Sequence, residues 1–242
     1  MTDSHLHIGK FFDTYYEPLE IMDIVSEAGI NGGMYSSTTS ADENNRYRNV
    51  EKEITAVVQR YSPRQFIPLL WYTPPYIKEG ISAETAFQNL PYGGIKLHPR
   101  SHFWNLQSKK HLDCLHKLFA YAHDHTLPVL IHTGVDSFEL PSFFEQFFAP
   151  YPDAKIILAH CRPIENTMEM LYRYPNIYGD TAFLPLADYN QLCCALCSET
   201  SRAGFAKRLL LGTDFPITHY YREDPALTLK QQYTRDIRIL SD

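Results

Sequence analysis

The sequence predicts an α/β fold, a (β/α)8 barrel formed as a single domain over residues 1–242, and three observations carry the prediction. Short apolar runs alternate with longer amphipathic stretches along the chain, the pattern of parallel strands joined by helical crossovers. Eight such units fit in 242 residues, a length that α/β barrels commonly occupy. No strand is followed by the Gly-rich phosphate loop that a doubly wound open sheet would ordinarily show.

The elements follow in order. "SHLHI" is the first strand. "YYEPLEIMDIVSEAGI" is a helix, with Leu19, Met22, Ile24, Val25 and Ala28 in a helical stripe closed by Gly29. "NGGMYSS" is the second strand. "NVEKEITAVVQRYSP" is an amphipathic helix stopped by Pro63. "QFIPLLWYT" is the third strand, "AETAFQNLP" a short helix and "GGIKLHP" the fourth strand. "KKHLDCLHKLFAYAHDH" is a long helix striped by Leu112, Leu115, Leu118, Phe119 and Ala122, and "LPVLIHTG" is the fifth strand. "LPSFFEQFFAPYP" is helical and "AKIILAH" is the sixth strand. "NTMEMLYRYP" is helical and "NIYGDTAF" is the seventh strand. "NQLCCALCSE" is helical, "RLLLGTDFP" is the eighth strand, and a last helix runs from about Pro225.

Composition excludes several functions. The apolar fraction is 44% and the charged fraction 21%, ordinary for a globular chain. A net charge of −6 with no Lys/Arg run makes no nucleic-acid surface. No apolar stretch approaches the ~18 residues of a membrane span. The N-terminus carries acid and histidine, so no signal peptide is expected. An odd number of cysteines, five, with two adjacent, makes no disulfide framework and points to the reducing cytoplasm. The C-x-x-C from Cys194 to Cys197 lacks the second pair that a structural zinc site wants, and it reads as small positions on a buried helix.

The polar residues at strand ends carry the functional signal. In "TDSHLHIG" the strand period of two places His5 and His7 on one face, and Asp3 with them. An H-x-H is a weak signal alone: with 11 histidines a chance pair is unremarkable, and the chain contains another in His123 and His125. That second pair lies at a helix end, where i and i+2 diverge, and it reads as helix-terminal. The first pair belongs to a pattern. His5 and His7 end the first strand, Lys96 and His98 the fourth, His132 the fifth, His160 the sixth and Asp214 the eighth. A barrel gathers all of these ends at one mouth, where catalysis is found. Burying so many titratable groups together is costly unless they are paired or bind a cation.

"DSHLHIG", "GIKLHP", "VLIHTG", "ILAHC" and "GTDFP" resemble the amidohydrolase superfamily, in particular its branch of amidohydrolase-related hydrolases and nonoxidative decarboxylases. The resemblance runs from residue 3 to about residue 216. It implies a distorted (β/α)8, or TIM, barrel with a catalytic divalent metal, most often zinc, with manganese or iron as alternatives. It implies His5, His7, His132 and Asp214 as metal ligands, with His160 as a second-metal ligand or as an acid, base or electrophile toward substrate. Such N and O donors suit these ions. Lys96 lies on the strand where binuclear members carry a carboxylated lysine; here it bridges two metals, stays a cation that binds an anionic substrate, or is a salt-bridged structural lysine. One metal is favoured over two.

Arg162 and Arg100 are candidates to clamp a substrate carboxylate. His98 is expected to point into the barrel beside Lys96, in an open role. Tyr72, Trp104 and Phe183 are candidate pocket walls. His102, His111, His116 and His219 are read as non-catalytic. The expected activity is hydrolysis of an amide, lactone or ester of a small molecule. The alternative is metal-dependent decarboxylation of a small carboxylic acid on the same site, and a barrel with a vestigial site is the third reading. The expected partner is a small molecule, with no nucleic acid or membrane. A homodimer is the base-rate expectation for a soluble enzyme.

Overall fold

A computed structural model describes residues 1–41, 47–78, 80–101, 104–184, 188, 190–192, 194, 206–221 and 226–241. Its strands are β1 (Thr2–Phe11), β2 (Thr14–Tyr16), β3 (Gly32–Ser37), β4 (Phe66–Trp71), β5 (Gly94–Leu97), β6 (Pro128–His132), β7 (Lys155–Ala159), β8 (Ile177–Asp180) and β9 (Leu209–Leu210). Its helices are α1 (Pro18–Glu27), α2 (Tyr47–Arg60), α3 (Pro74–Lys78), α4 (Ala83–Asn89), α5 (Lys109–Asp124), α6 (Ile164–Arg173), α7 (Ile217–Tyr220) and α8 (Leu229–Ser241).

The sheet order is β2-β1-β3-β4-β5-β6-β7-β8-β9. β1 and β3 through β9 pair in parallel; β2 alone is antiparallel, folding back on the end of β1. The ring closes past β9. Ser4 N–H donates to Leu211 O at 2.8 Å, Asp214 N–H to His5 O at 2.9 Å, and His7 N–H to Phe215 O at 2.8 Å. The result is a distorted (β/α)8 barrel.

Strand alternation sorts the side chains. Leu6 and Ile8 of β1, Ile95 and Leu97 of β5, and Val129 and Ile131 of β6 pack outward against the helices. Met34, Leu69, Leu130, Ile157 and Ala159 fill the barrel interior. Each fully buried Leu or Ile contributes about 1.5–3 kcal/mol relative to exposure. The inward positions one step further along are Trp71, Lys96 and His132, so the polar site sits directly on an apolar plug.

Several expectations are corrected. "PSFFEQF" forms a 3-10 run, Pro141–Phe147, rather than an α-helix. The β1–β2 hairpin was not anticipated. Asp3 does not share the face of His5 and His7: the register of β1 against β3 shifts between Asp3 and Leu6, a bulge that breaks the period of two. Asp3 instead accepts from Thr213 N–H, Thr213 Oγ1–H and Tyr233 Oη–H of α8. Cys194 is exposed, contrary to a buried helix; Cys193 and Cys197 lie outside the described residues. Among the described residues no helix is long and apolar enough to cross a membrane.

Candidate active site

At the C-terminal mouth of the barrel a cavity of about 460 Å³ is walled by aromatic rings, among them Phe11, Phe12, Trp71 and Phe183, and floored by His7, Lys96, His160 and Asp214. His5 and His7 face inward from β1, with Nε2 atoms 3.2 Å apart. Asp214 Oδ1 lies 3.3 Å from His5 Nε2 and 3.0 Å from His7 Nε2. Lys96 Nζ, fully buried on β5, donates to His5 Nε2 at 2.7 Å.

Backbone strain aims two of these groups. On β7 the outward and inward positions alternate through Leu158 and Ala159, so His160 would point outward. It has φ +67, and the left-handed turn swings its ring back into the mouth. Asp214 has φ +60 just after β9. Non-glycine residues in this region cost about 1–3 kcal/mol and cluster at functional sites.

The histidine tautomers follow from their partners. His160 Nδ1–H donates to Ala182 O at 2.8 Å, which leaves Nε2 to accept from His132 Nδ1–H at 3.0 Å. The His132 Nε2 then lies 3.7 Å from Glu139 Oε1, a buried oxygen with no hydrogen-bond partner among the described residues. His98 stacks on His132 with ring centroids 3.8 Å apart, and its Nδ1 accepts from Ser101 N–H. The His7 Nδ1 meets Ser36 Oγ at 3.1 Å.

Burial lowers the pKa values of His5, His7, His132 and His160 below that of a free imidazole. Burial also lowers Lys96 to about 8, against the pull of Asp214 and Asp180. Burial raises the Asp214 carboxyl, but His5, His7 and His160 outweigh it and hold the group below its ordinary range.

The residues singled out in the sequence are thus largely together. His5, His7 and Asp214 form one group with donor atoms within 4.8 Å of one another, and His98, His132 and Glu139 form another. The donor set of the first group fits a divalent ion: imidazole nitrogens and a carboxylate oxygen converge, and the Lys96 ammonium at 2.7 Å from His5 Nε2 stands where a cation would meet that lone pair. Arg162 also lines the cavity; it is half-buried, lies over the Phe183 ring at 5.6 Å and donates to Phe183 O. Arg100 lines the rim, exposed and paired with Asp136.

Tyr72 and Trp104 lie outside the barrel in the helix-packed core, with Trp104 against His111. His102 lies outside the described residues. His111, His116, His123, His125 and His219 hold local contacts away from the mouth. Sequence reading missed Asp180, Ser36 and Glu139. Asp180 carries the same signal as Asp214, a carboxylate closing a strand. Ser36 and Glu139 carry none: one is a small residue within β3, the other lies in a loop seven residues past His132.

The family model described as amidohydrolase matches residues 3–236. No curated protein matches the chain. Among solved structures, a probable 2-pyrone-4,6-dicarboxylic acid hydrolase from Acinetobacter baumannii, with citric acid bound, is similar with a TM-score of 0.62 at 12% identity, covering 99% of this chain and 91% of that one. A phosphotriesterase homology protein from Escherichia coli, with phosphate in its active site, gives 0.63 at 13%, covering 97% and 91%. A TatD homolog from Escherichia coli gives 0.58 at 14%, covering 99% and 88%. Matched over nearly its whole length and folded as these barrels are, the chain belongs to the amidohydrolase family.

Proposed function

We propose that the chain is a divalent-metal-dependent hydrolase of a small anionic amide, lactone or ester. The observation that carries this reading is the meeting of His5 Nε2, His7 Nε2 and Asp214 Oδ1 within 3.3 Å of one another, all buried, at the floor of an open cavity. His5, His7 and Asp214 hold the ion, with His132 from β6 as the fourth candidate; zinc, manganese and iron suit these donors, and one ion is favoured. When bound, the ion supplies Lewis acidity and brings water toward ionisation near pH ~7.

The chain's own residues do the rest. The Asp214 carboxylate takes the proton of the attacking water and passes it to the leaving group. His160, on the cavity floor, is the acid, base or electrophile toward the substrate carbonyl. Lys96 stays a cation, and with Arg162 and Arg100 it draws the anionic part of the substrate into the mouth. The aromatic walls exclude water from the bond being cleaved.

The test measures metal content by plasma mass spectrometry on protein purified without chelator. It then screens carboxylate-bearing lactones and esters by proton release, and amides by the amine they free. About one equivalent of metal and hydrolysis abolished by Asp214→Asn are expected. Two equivalents would make Lys96 a carboxylated bridge. Carbon dioxide release without water uptake would move the chain to decarboxylation. An active Asp214→Asn protein, or a chain that binds no added metal, overturns the mechanism.

A further inference from the structure

We propose that Asp180 is a positioning residue: it fixes the His5 imidazole in its Nδ1–H tautomer, so that the Nε2 lone pair faces the centre of the site. The inference rests on the reading of that centre as a metal site.

Asp180 closes β8 and is fully buried. Its Oδ2 is 3.0 Å from His5 Nδ1. Its Oδ1 accepts from the backbone N–H groups of His160 at 2.7 Å and Ala182 at 3.1 Å. All three contacts come from N–H donors, so the carboxylate is held where it stands.

The shortest contact at each end of the His5 ring places its proton on Nδ1, the Asp214 oxygen 3.3 Å from Nε2 being the longer one. A carboxylate can only accept, so Nδ1 carries the hydrogen. At the other end the Lys96 ammonium has only hydrogens to offer, and at 2.7 Å it meets a lone pair on Nε2. His7 is different. Its Nδ1 partner is the Ser36 hydroxyl, which donates or accepts, so the His7 tautomer can adapt. His7 also meets a carboxylate, but at Nε2, where its partner is Asp214 of the ligand set at 3.0 Å; only His5 has a carboxylate behind the ring, on the side away from the centre. A carboxylate behind a ligating imidazole also raises its basicity, and losing such a partner typically costs 10–100-fold in metal affinity.

Asparagine at position 180 discriminates this role from simple packing. Asp180→Asn keeps the shape. The two backbone N–H groups claim the amide oxygen, which leaves the amide NH2 facing His5 Nδ1. That ring nitrogen must then accept, and the proton moves to Nε2, where it blocks the lone pair. Asp180→Ser removes more volume but imposes no tautomer. Packing alone predicts that serine is the worse replacement; tautomer control predicts that asparagine is.

The experiment titrates metal-free protein with Co²⁺, read by its visible absorption. Urea unfolding of each metal-free variant runs alongside. The expected result is roughly 100-fold weaker Co²⁺ binding for Asp180→Asn, with a smaller loss for Asp180→Ser. If the wild-type chain binds Co²⁺ and Asp180→Asn binds within about threefold of it, the role assigned to Asp180 is wrong while the metal reading stands. If the wild type binds none, the metal reading itself falls. One measurement needs no variant: ¹⁵N NMR of the metal-free protein should show His5 with Nδ1 protonated and Nε2 bare, and the reverse assignment overturns the proposal.

Discussion

Asp3 offers the sharpest stability test, because its carboxylate is fully buried and accepts four hydrogen bonds from three parts of the chain. They come from His5 N–H at 3.1 Å, Thr213 N–H at 3.2 Å, Thr213 Oγ1–H at 2.7 Å and Tyr233 Oη–H at 2.9 Å. Asp3→Ala strips the acceptor from all four. A buried donor left unmade costs about 1–3 kcal/mol, and the four are not additive because two belong to one residue and water can enter the gap; a loss of about 4 kcal/mol is expected. That is a large share of a typical total of about 5–15 kcal/mol. Asp3→Asn keeps one oxygen for the two N–H groups, and the Thr213 and Tyr233 hydroxyls can turn to accept from its amide, so the expected loss is about 1 kcal/mol. Tyr233→Phe removes a single bond to the carboxylate at a similar cost, and combined with Asp3→Ala it should add less than it does alone. Urea unfolding followed by circular dichroism reads each value. An Asp3→Ala protein within about 0.5 kcal/mol of wild type, or an Asn variant as damaged as the Ala variant, refutes the account of Asp3 as a satisfied hub.

Two further outcomes are expected. Tyr35 is buried with its hydroxyl unpartnered among the described residues, so Tyr35→Phe should raise stability by about 1 kcal/mol. Burial pushes that phenol upward, so above pH ~10 the unfolded chain releases a proton that the folded chain retains; wild-type stability falls with rising pH there, and the Phe variant escapes that part of the fall. Gly33→Ala would place a Cβ 2.0 Å from the Asp3 carbonyl oxygen, a backbone atom that cannot move without shifting β1. A loss of about 3 kcal/mol or no soluble protein is expected, read by thermal unfolding, and a wild-type melting temperature would show that β1 and β3 are not packed this closely.

The barrel was legible because its signal is periodic. Runs such as "KIILA" and "PVLIH" are too apolar for surface and too short for helices, and each ends at a residue that the barrel turns toward one mouth. His5, His7, Lys96, His98, His132, His160 and Asp214 were singled out by position, as the polar groups closing apolar runs, and the structure brings them to the one mouth. The misses have local causes. Asp3 was misplaced because a bulge is a one-residue slip that leaves no mark in hydrophobicity. His160 was placed at the mouth as a strand end, and only the positive φ that turns its ring inward went unannounced by its residue type. Asp180 closes a strand as Asp214 does, but its importance lies in a hydrogen bond to a residue 175 positions away. The 3-10 run at Pro141–Phe147 follows an apolar pattern that cannot separate two helix types over seven residues.

The position of the site on the ring has a consequence for how the protein assembles. His5 and His7 stand on the first barrel strand, and Asp214 follows the last, so the three meet across the seam where the ring closes. The seam is made by a few backbone bonds between segments more than 200 residues apart, such as Ser4 N–H to Leu211 O. Contacts this distant are the slowest to form, because the loop between them must be closed first. Seven strands of this chain, however well paired, do not bring His5, His7 and Asp214 together. Any species that binds His5, His7 and Asp214 together recognises the closed ring and not the open sheet. At a hundred times its dissociation constant it would hold the seam shut by about 2.7 kcal/mol. A ligand of that centre is therefore also a latch, and the integrity of the barrel and the occupancy of its mouth are linked equilibria.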